Sequence, residues 1–162
     1  MTDFLNRKDV EILRALRSDC RKPMGLVGES VGISKATVSR RVSKMEEDGF
    51  IKGYDLNVDS SKLGVMRSVV SIQIVGSPVS IVIEQLQGSK EISAIYKAFG
   101  DHNIVCIVYS RSVDELYEMI QTKLLKMPSV RNVEVDILVE EMRTNPNSDL
   151  DIYEVGLGNE QD

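Results

Sequence analysis

The hydrophobic pattern of this 162-residue chain is helical throughout its first part and changes between Gly49 and Met66. Before the change, apolar residues recur at every third or fourth position, which is typical of amphipathic helices. After it, residues 66–143 give in turn a strand, a helix, two strands, a helix and a strand. This order predicts a β-α-β-β-α-β unit, the split βαβ or ferredoxin-like sandwich. The chain is therefore predicted to be an α+β protein with a helical N-terminal domain.

Local signals give the bounds expected for this unit. Its strands are predicted over residues 66–75, 91–99, 103–110 and 130–143, and its helices over residues 77–88 and 112–127. Ser77 is expected to cap the first helix, with Pro78 in its first turn. Ser112 and Glu115 have the spacing of a capping box for the second helix. In the second strand, alternation predicts one face for Ile92, Ala94, Tyr96 and Ala98.

Helical signals precede Gly49. Asn6 is the expected cap of a helix that ends near Cys20. A second, glycine-containing helix is expected to end at Gly32, and a third to begin after a cap at Ser34. Two short helices joined by a tight turn predict a helix-turn-helix, in which Gly28 would let a crossing helix approach closely. Residues 50–59 are predicted to form a wing hairpin.

The third helix carries a concentrated positive patch. Four cations and no acid occur in residues 35–44, and three acids follow together at 46–48. A solvated helix face is the ordinary explanation of a charge run. Acids at a helix C-terminus oppose the macrodipole, however, so helix stability does not explain this arrangement. Entry of the N-terminal half into the phosphate-lined major groove of double-stranded DNA does explain it.

Position along the third helix separates the roles expected in DNA binding. Arg40 is the best candidate for a bidentate contact with guanine. Arg41 and Lys44 are expected to hold phosphates, which positions the helix without specifying a sequence. Lys52 in the wing is expected to contact the adjacent backbone. The residues near the N-terminus that can reach phosphates or base edges are Ser34, Lys35 and Thr37.

The net charge of −5 does not exclude a polyanionic partner. The acidic excess belongs to the tail, because residues 144–162 hold five acids and no Lys or Arg. Local field rather than net charge guides docking.

One face of the predicted sheet has no cover within its own unit. Both helices lie on one side, yet the strand at 103–110 is apolar on both faces. A symmetric homodimer is one explanation. The other is the C-terminal tail, whose apolar residues are Leu150, Ile152, Tyr153, Val155 and Leu157.

The segment FGDHNIV, residues 99–105, connects two buried strands. A plain hairpin turn is one interpretation, because Gly, Asp and Asn are common turn residues. The chemistry of Gly100, Asp101, His102 and Asn103 would also suit a zwitterion. Asp101 could bind an ammonium group, and backbone N–H groups could bind a carboxylate.

Other function classes find little support in the sequence. Cys20 and Cys106 make no metal-ligand pattern and His102 is the only histidine, so no metal site is expected. The sequence holds no P-loop, GxGxxG, nucleophile elbow or HExxH motif, so neither an enzyme nor a cofactor is predicted. Without a membrane span or a signal-peptide pattern, a cytoplasmic location with no membrane partner is expected.

The sequence resembles the Lrp/AsnC family, the leucine-responsive or feast/famine transcription regulators. The resemblance covers residues 5–143 and is most specific in RRVSKMEEDGFIKGY, with FGDHNIV in the middle turn. It implies DNA-binding homodimers that assemble into octamers or larger rings. It also implies an amino-acid effector bound between dimers near the turn. That effector site would comprise Gly100, Asp101, His102 and Asn103, with Glu134 and Asp136 of the last strand as further contributors.

These features predict four segments: a helix-turn-helix domain with its wing (1–54), a linker (55–65), an effector-binding and oligomerisation domain (66–143) and an acidic tail (144–162). The predicted function is that of a sequence-specific transcription regulator whose effector modulates operator binding. The alternatives are an architectural DNA-binding protein without an effector and a metabolite-binding enzyme of ferredoxin-like fold.

Overall fold

The first of two units is built from an N-terminal and a C-terminal segment of the chain. The structure is a computed structural model that describes residues 5–158, with residues 157 and 158 described by their backbone alone. One unit holds the residues up to Leu56 together with those from Arg143 onward, and the other is Asn57–Met142. The predicted N-terminal domain and tail also include residues 1–4 and 159–162, which lie outside the described residues, as does the side chain of Leu157.

Three helices build the helix-turn-helix of the first unit. α1 (Arg7–Ser18) begins with the predicted capping box, in which Asn6 and Asp9 satisfy each other's backbone N–H groups. α2 (Met24–Val31) ends at Gly32, whose φ of 75° favours glycine. α3 (Lys35–Glu47) begins at the predicted cap, Ser34. The three helices share one core, which includes Val10, Ile12, Leu16, Val27, Val31, Val38, Val42 and Met45.

Gly28 lies where two stretches of backbone approach closely. A Cβ added at Gly28 would stand 2.5 Å from the carbonyl oxygen of Ile33 and 3.4 Å from the amide nitrogen of Lys35. The predicted close approach is therefore confirmed. Its partner is the backbone of the turn and of the first residue of α3.

The segment 50–59 lacks the predicted hairpin, because none of its residues belongs to a helix or strand. A two-stranded hairpin is marginally stable by itself, and this segment takes its support from α3 instead. The hydroxyl of Tyr54 donates to the carboxylate of Glu46 at 2.9 Å. Partial burial and this hydrogen bond raise the pKa of Tyr54.

The tail forms a helix that joins the first unit. α6 (Ser148–Gly158) buries Leu150 in the helix-turn-helix core, and Tyr153 packs against the same core. Ile152 and Val155 stay exposed. Buried Leu150 and half-buried Tyr153 therefore serve the N-terminal core and do not act as the sheet cover that was one of the two alternatives.

Four antiparallel strands and two helices build the second unit in the predicted order. They are β1 (Met66–Ile74), α4 (Val79–Leu86), β2 (Ile92–Lys97), β3 (Ile104–Ser110), α5 (Val113–Met119) and β4 (Val130–Leu138). The strand order is β2-β3-β1-β4, as the ferredoxin-like sandwich requires. The predicted fold class is confirmed.

Only one face of the sheet is covered by α4 and α5. Val70 of β1 and Cys106 of β3 are among the residues buried on that face, and burial raises the pKa of the Cys106 thiol to about 11. On the opposite face, Val69 and Ile107 pair across the strands and are half-buried, while Tyr96 is 57% exposed. This opposite face is called the free face below.

Three local predictions are wrong. Pro78 rather than Ser77 is the cap of α4, because the extended backbone of Pro78 delays the helix by one residue. In β2, a register irregularity turns Ile92 to the core, whereas Ala94 lies opposite Ile107. β4 ends at Leu138 instead of residue 143, since its partner strand β1 begins at that level of the sheet.

Candidate DNA interface and effector site

The buried stripe of α3 fixes which of its side chains face outward. Val38, Val42 and Met45 are buried in the first unit. At about 100° per residue, Arg40 lies about 200° around the helix from Val38. Arg40 is correspondingly exposed, as is Lys44. The sequence prediction of an outward-facing arginine at this position agrees with the fold.

The N-terminus of α3 is held by hydroxyl groups. The Ser34 hydroxyl accepts from the Thr37 backbone N–H at 3.1 Å, and the two side-chain hydroxyls lie 2.8 Å apart. Lys35 is exposed beside them. A helix N-terminus with free N–H groups and an adjacent lysine suits a phosphate.

Arg41 is engaged inside the protein. Its Nη1 donates to Oδ1 of Asp9 at 2.7 Å, and the Asp9 side chain is only 12% exposed. The other carboxylate oxygen of Asp9 accepts from the backbone N–H of Asn6 at 3.0 Å. The pair thus ties α3 to the start of α1. From the sequence, Arg41 was expected to hold a phosphate, and this contact was missed. Arg41 lies only about 60° around the helix from buried Val38, so its position beside the apolar stripe was a signal that it could face the protein.

Asn103 anchors the turn between β2 and β3. Its side-chain oxygen accepts from the backbone N–H of Ile74 at 2.7 Å, and its own N–H donates to the carbonyl of Ile72 at 2.9 Å. These bonds bridge the irregularity of β1 between Gln73 and Ile74. Asn103 therefore sets the conformation of the turn.

The turn brings two of the predicted effector residues together. Nε2 of His102 lies 3.3 Å from a carboxylate oxygen of Glu134, whose other oxygen accepts from the side-chain amide of Asn132 at 3.2 Å. Asp136 is exposed on the same face of β4 as Glu134. Together these residues place an acidic cluster on the free face.

The tip of the turn is open. Gly100, with φ of 151°, and Asp101 are both exposed. Phe99 beside them is fully exposed, an arrangement that leaves an aromatic ring available to a ligand or a second chain. Sequence reasoning missed Phe99 and Asn132, although an aromatic directly before a Gly-Asp turn was a visible signal.

A second concave site lies at the other end of the β2–β3 hairpin. It is a cavity of about 640 Å³ between the end of β3 and α5. Two ion pairs line it, Lys123 with Glu91 and Arg111 with Glu115, each at 2.7 Å. The hydrogen bond from Lys123 lowers the pKa of Glu91, and that from Arg111 lowers the pKa of Glu115. Its polar groups are thus largely paired with one another.

Two family models match the chain. One, described as winged helix-turn-helix DNA-binding, matches residues 5–52, and the other, the Lrp/AsnC ligand binding domain, matches residues 67–147. The chain belongs to the Lrp/AsnC family of transcription regulators. It is thus a DNA-binding regulator with a ligand-binding domain, and the predicted family is confirmed.

Individual relatives support the same assignment. The transcriptional regulator LrpA of Pyrococcus horikoshii is 28% identical over 141 residues, which are 86% of this chain and all of that protein. The structure of E. coli AsnC superposes with a TM-score of 0.78 and 25% identity, and covers 89% of this chain and 99% of its own. A Neisseria meningitidis transcriptional regulator in complex with L-Met shares the fold, with a TM-score of 0.79, 15% identity, and coverage of 90% of this chain and 99% of its own.

Residues 5–158 contain no group of three His, Cys, Asp or Glu side chains placed to hold a metal ion. Within that range, no helix has both the length and the apolar character that crossing a membrane requires.

Proposed function

We propose that α3 is the recognition helix and that Arg40 makes its base contact. The observation that carries this is the exposure of Arg40 on the side of α3 opposite the buried stripe. Lys35 and Lys44, on either side of Arg40 in sequence, contact phosphates of the DNA. Ser34 and Thr37 place the N-terminus of α3 against phosphates or base edges. Lys52, which is exposed, contacts the adjacent phosphate backbone of the DNA.

This proposal is tested by fluorescence-anisotropy binding to the DNA upstream of the chain's own gene, over a salt series. Arg40→Ala should weaken binding to the preferred sequence by about 1–3 kcal/mol and relax its sequence preference. Arg131→Ala is the matched control, because Arg131 is an exposed arginine in the other unit. Equal effects of the two substitutions, on DNA selected from a random pool, would refute a base contact by Arg40. Equal affinity for the selected and random sequences would favour the architectural alternative.

We further propose that the turn at residues 100–103 binds an amino acid. Asp101 and the acidic cluster with Glu134 and Asp136 would hold its ammonium group, and backbone N–H groups of the turn, including that of Gly100, would hold its carboxylate. His102 adjoins Glu134, and Asn103 keeps the turn in shape. The structural relative bound to L-Met supports this ligand class.

Calorimetric titration with each standard amino acid tests the effector site. Asp101→Asn removes the charge of an exposed residue with little change in shape and should weaken binding by about 1.5–3 kcal/mol. Lys90→Ala, at the 640 Å³ cavity, is the control. Loss of binding in Lys90→Ala but not in Asp101→Asn would move the effector site to the cavity.

We propose, finally, that the free face forms a homodimer interface, from which octamers or larger rings assemble. Half-buried Val69 and Ile107 and exposed Tyr96 give this face its apolar centre. Ile107→Glu should yield monomers in sedimentation velocity, whereas Ile81→Glu on the helix-covered side should retain dimers. Intact dimers of Ile107→Glu would exclude the free face.

A further inference from the structure

We propose that the C-terminal helix α6 is an intramolecular clamp that holds α1, and through α1 the recognition helix, in position. The family model for the ligand-binding domain ends at residue 147, directly before α6 begins at Ser148. The clamp is therefore an addition to the matched core of the family. It gives the acidic tail a function within the DNA-binding unit.

Apolar packing stabilises the docking of α6 on the first unit. Leu150 is 6% exposed and belongs to the same buried cluster as Leu16 and Val38. Ile152, two residues further along α6, is 74% exposed. α6 thus contributes one fully buried side chain, Leu150, and half-buried Tyr153 to the core, whereas Ile152 on its outer side contributes none.

Ion pairs set where α6 docks. Arg14 of α1 donates to both Asp151 and Glu154, the second at 2.7 Å. Arg17 binds Asp149 through both of its terminal nitrogens, one of them at 2.9 Å. Exposed pairs of this kind add little stability each, but two arginines facing three carboxylates fix the position of one helix on the other.

A short series of contacts leads from α6 to the recognition helix. The hydroxyl of Tyr153 donates to the carbonyl oxygen of Leu5 at 3.2 Å, directly before the Asn6 cap of α1. The same capping box contains Asp9, which holds Arg41 of α3 at 2.7 Å. Release of α6 would therefore loosen the start of α1, which orients α3.

Hydrogen exchange of the full-length protein, without DNA or effector, tests the clamp. Leu150→Ala should accelerate exchange of the α1 amides by at least about tenfold, because it empties a core position. Ile152→Ala, the matched control on the same helix, should leave α1 at the wild-type rate. Equal exchange of α1 in both variants and the wild type would overturn the proposal. Since no ligand is present, that outcome is independent of the proposed DNA and effector sites.

A charge exchange gives a second readout. Arg17→Asp and Asp149→Arg should each accelerate exchange in α1, and the double variant should restore part of the protection. Absence of any restoration would overturn the assigned docking position. Protection of α1 that falls on dilution would show that α6 of a second copy supplies the contact, and would overturn the intramolecular assignment.

Discussion

Substitution of Arg41 by alanine should destabilise the DNA-binding unit, whereas the same change at its neighbour Arg40 should not. The Asp9 side chain is only 12% exposed, and Arg41→Ala removes the cationic partner of its carboxylate. Breaking a fully buried ion pair costs about 3–5 kcal/mol. Because the Arg41 side chain is 30% exposed and Asp9 keeps its bond to the Asn6 amide, we expect about 1–3 kcal/mol here.

Thermal unfolding measures this difference directly. For a unit of 60–100 residues, 1 kcal/mol shifts Tm by about 4–8 °C, so the midpoint of Arg41→Ala should fall by that amount or more. Arg40→Ala is an exposed substitution and should change stability by no more than about 0.5 kcal/mol. Asp9→Asn serves as the reciprocal variant, and the combination with Arg41→Ala should be less destabilising than the sum of the two.

The salt dependence of DNA binding then separates the two arginines. Each phosphate contact contributes about 0.9 to the slope of log affinity against log salt. If Arg41 is structural, Arg41→Ala keeps the wild-type slope at a temperature where it is folded. An unchanged Tm together with a slope reduced by about one would refute the structural role and restore the phosphate contact expected from the sequence.

Three further outcomes are expected. Gly28→Ala should destabilise the first unit in urea unfolding by about 1–3 kcal/mol, because the added Cβ would lie 2.5 Å from the carbonyl oxygen of Ile33. Gly25 has open space around it, so Gly25→Ala should stabilise the same unit by up to about 1 kcal/mol. The hydrogen bond from Arg17 lowers the pKa of Asp149. The contribution of this pair to stability is therefore complete above the ordinary aspartate pKa and is lost as the pH falls below about 4. A fall in the protection factors of the α1 amides, which are corrected for the intrinsic exchange rate, as the pH is lowered from 8 to 5 would contradict this. Iodoacetamide at pH 8 should label exposed Cys20 and spare Cys106, whose buried thiol has a pKa of about 11.

Periodicity and capping signals were sufficient to predict the two folds. The Asn6 and Ser34 caps and the βαββαβ order all depend on neighbours in sequence, and all are present. The errors at Ser77 and Ile92 have another origin. A one-residue shift of a helix start or a strand irregularity depends on how the element meets its partners, which a single sequence does not specify.

The exposure of a candidate site residue was predictable from its own helix, whereas its contact with a residue distant in sequence was not. The outward position of Arg40 follows from the stripe at Val38 and Val42 alone. The pairing of Arg41 with Asp9 joins residues 32 positions apart, and a charge on one helix gives no sign of a carboxylate on another. The docking of Leu150 on α1 has the same cause, since its pattern indicates only that some apolar surface will cover it.

We expect the folded sheet to assist the return of α6 to a unit that begins more than a hundred residues earlier. Arg67 at the start of β1 pairs with Leu138 at the end of β4, so the folded sheet holds its incoming and outgoing chain side by side. Once the sheet is folded, the loop that docking of α6 must close consists only of the short segments 57–65 and 139–147. The conformational entropy lost on closing this loop is therefore smaller than for an unfolded chain of the full length. Ile72→Ala, in the sheet core, should therefore accelerate exchange in α1 as well as in β1 under conditions where the sheet opens. Wild-type protection of α1 while β1 exchanges freely would show that the first unit holds its C-terminal helix without help from the sheet.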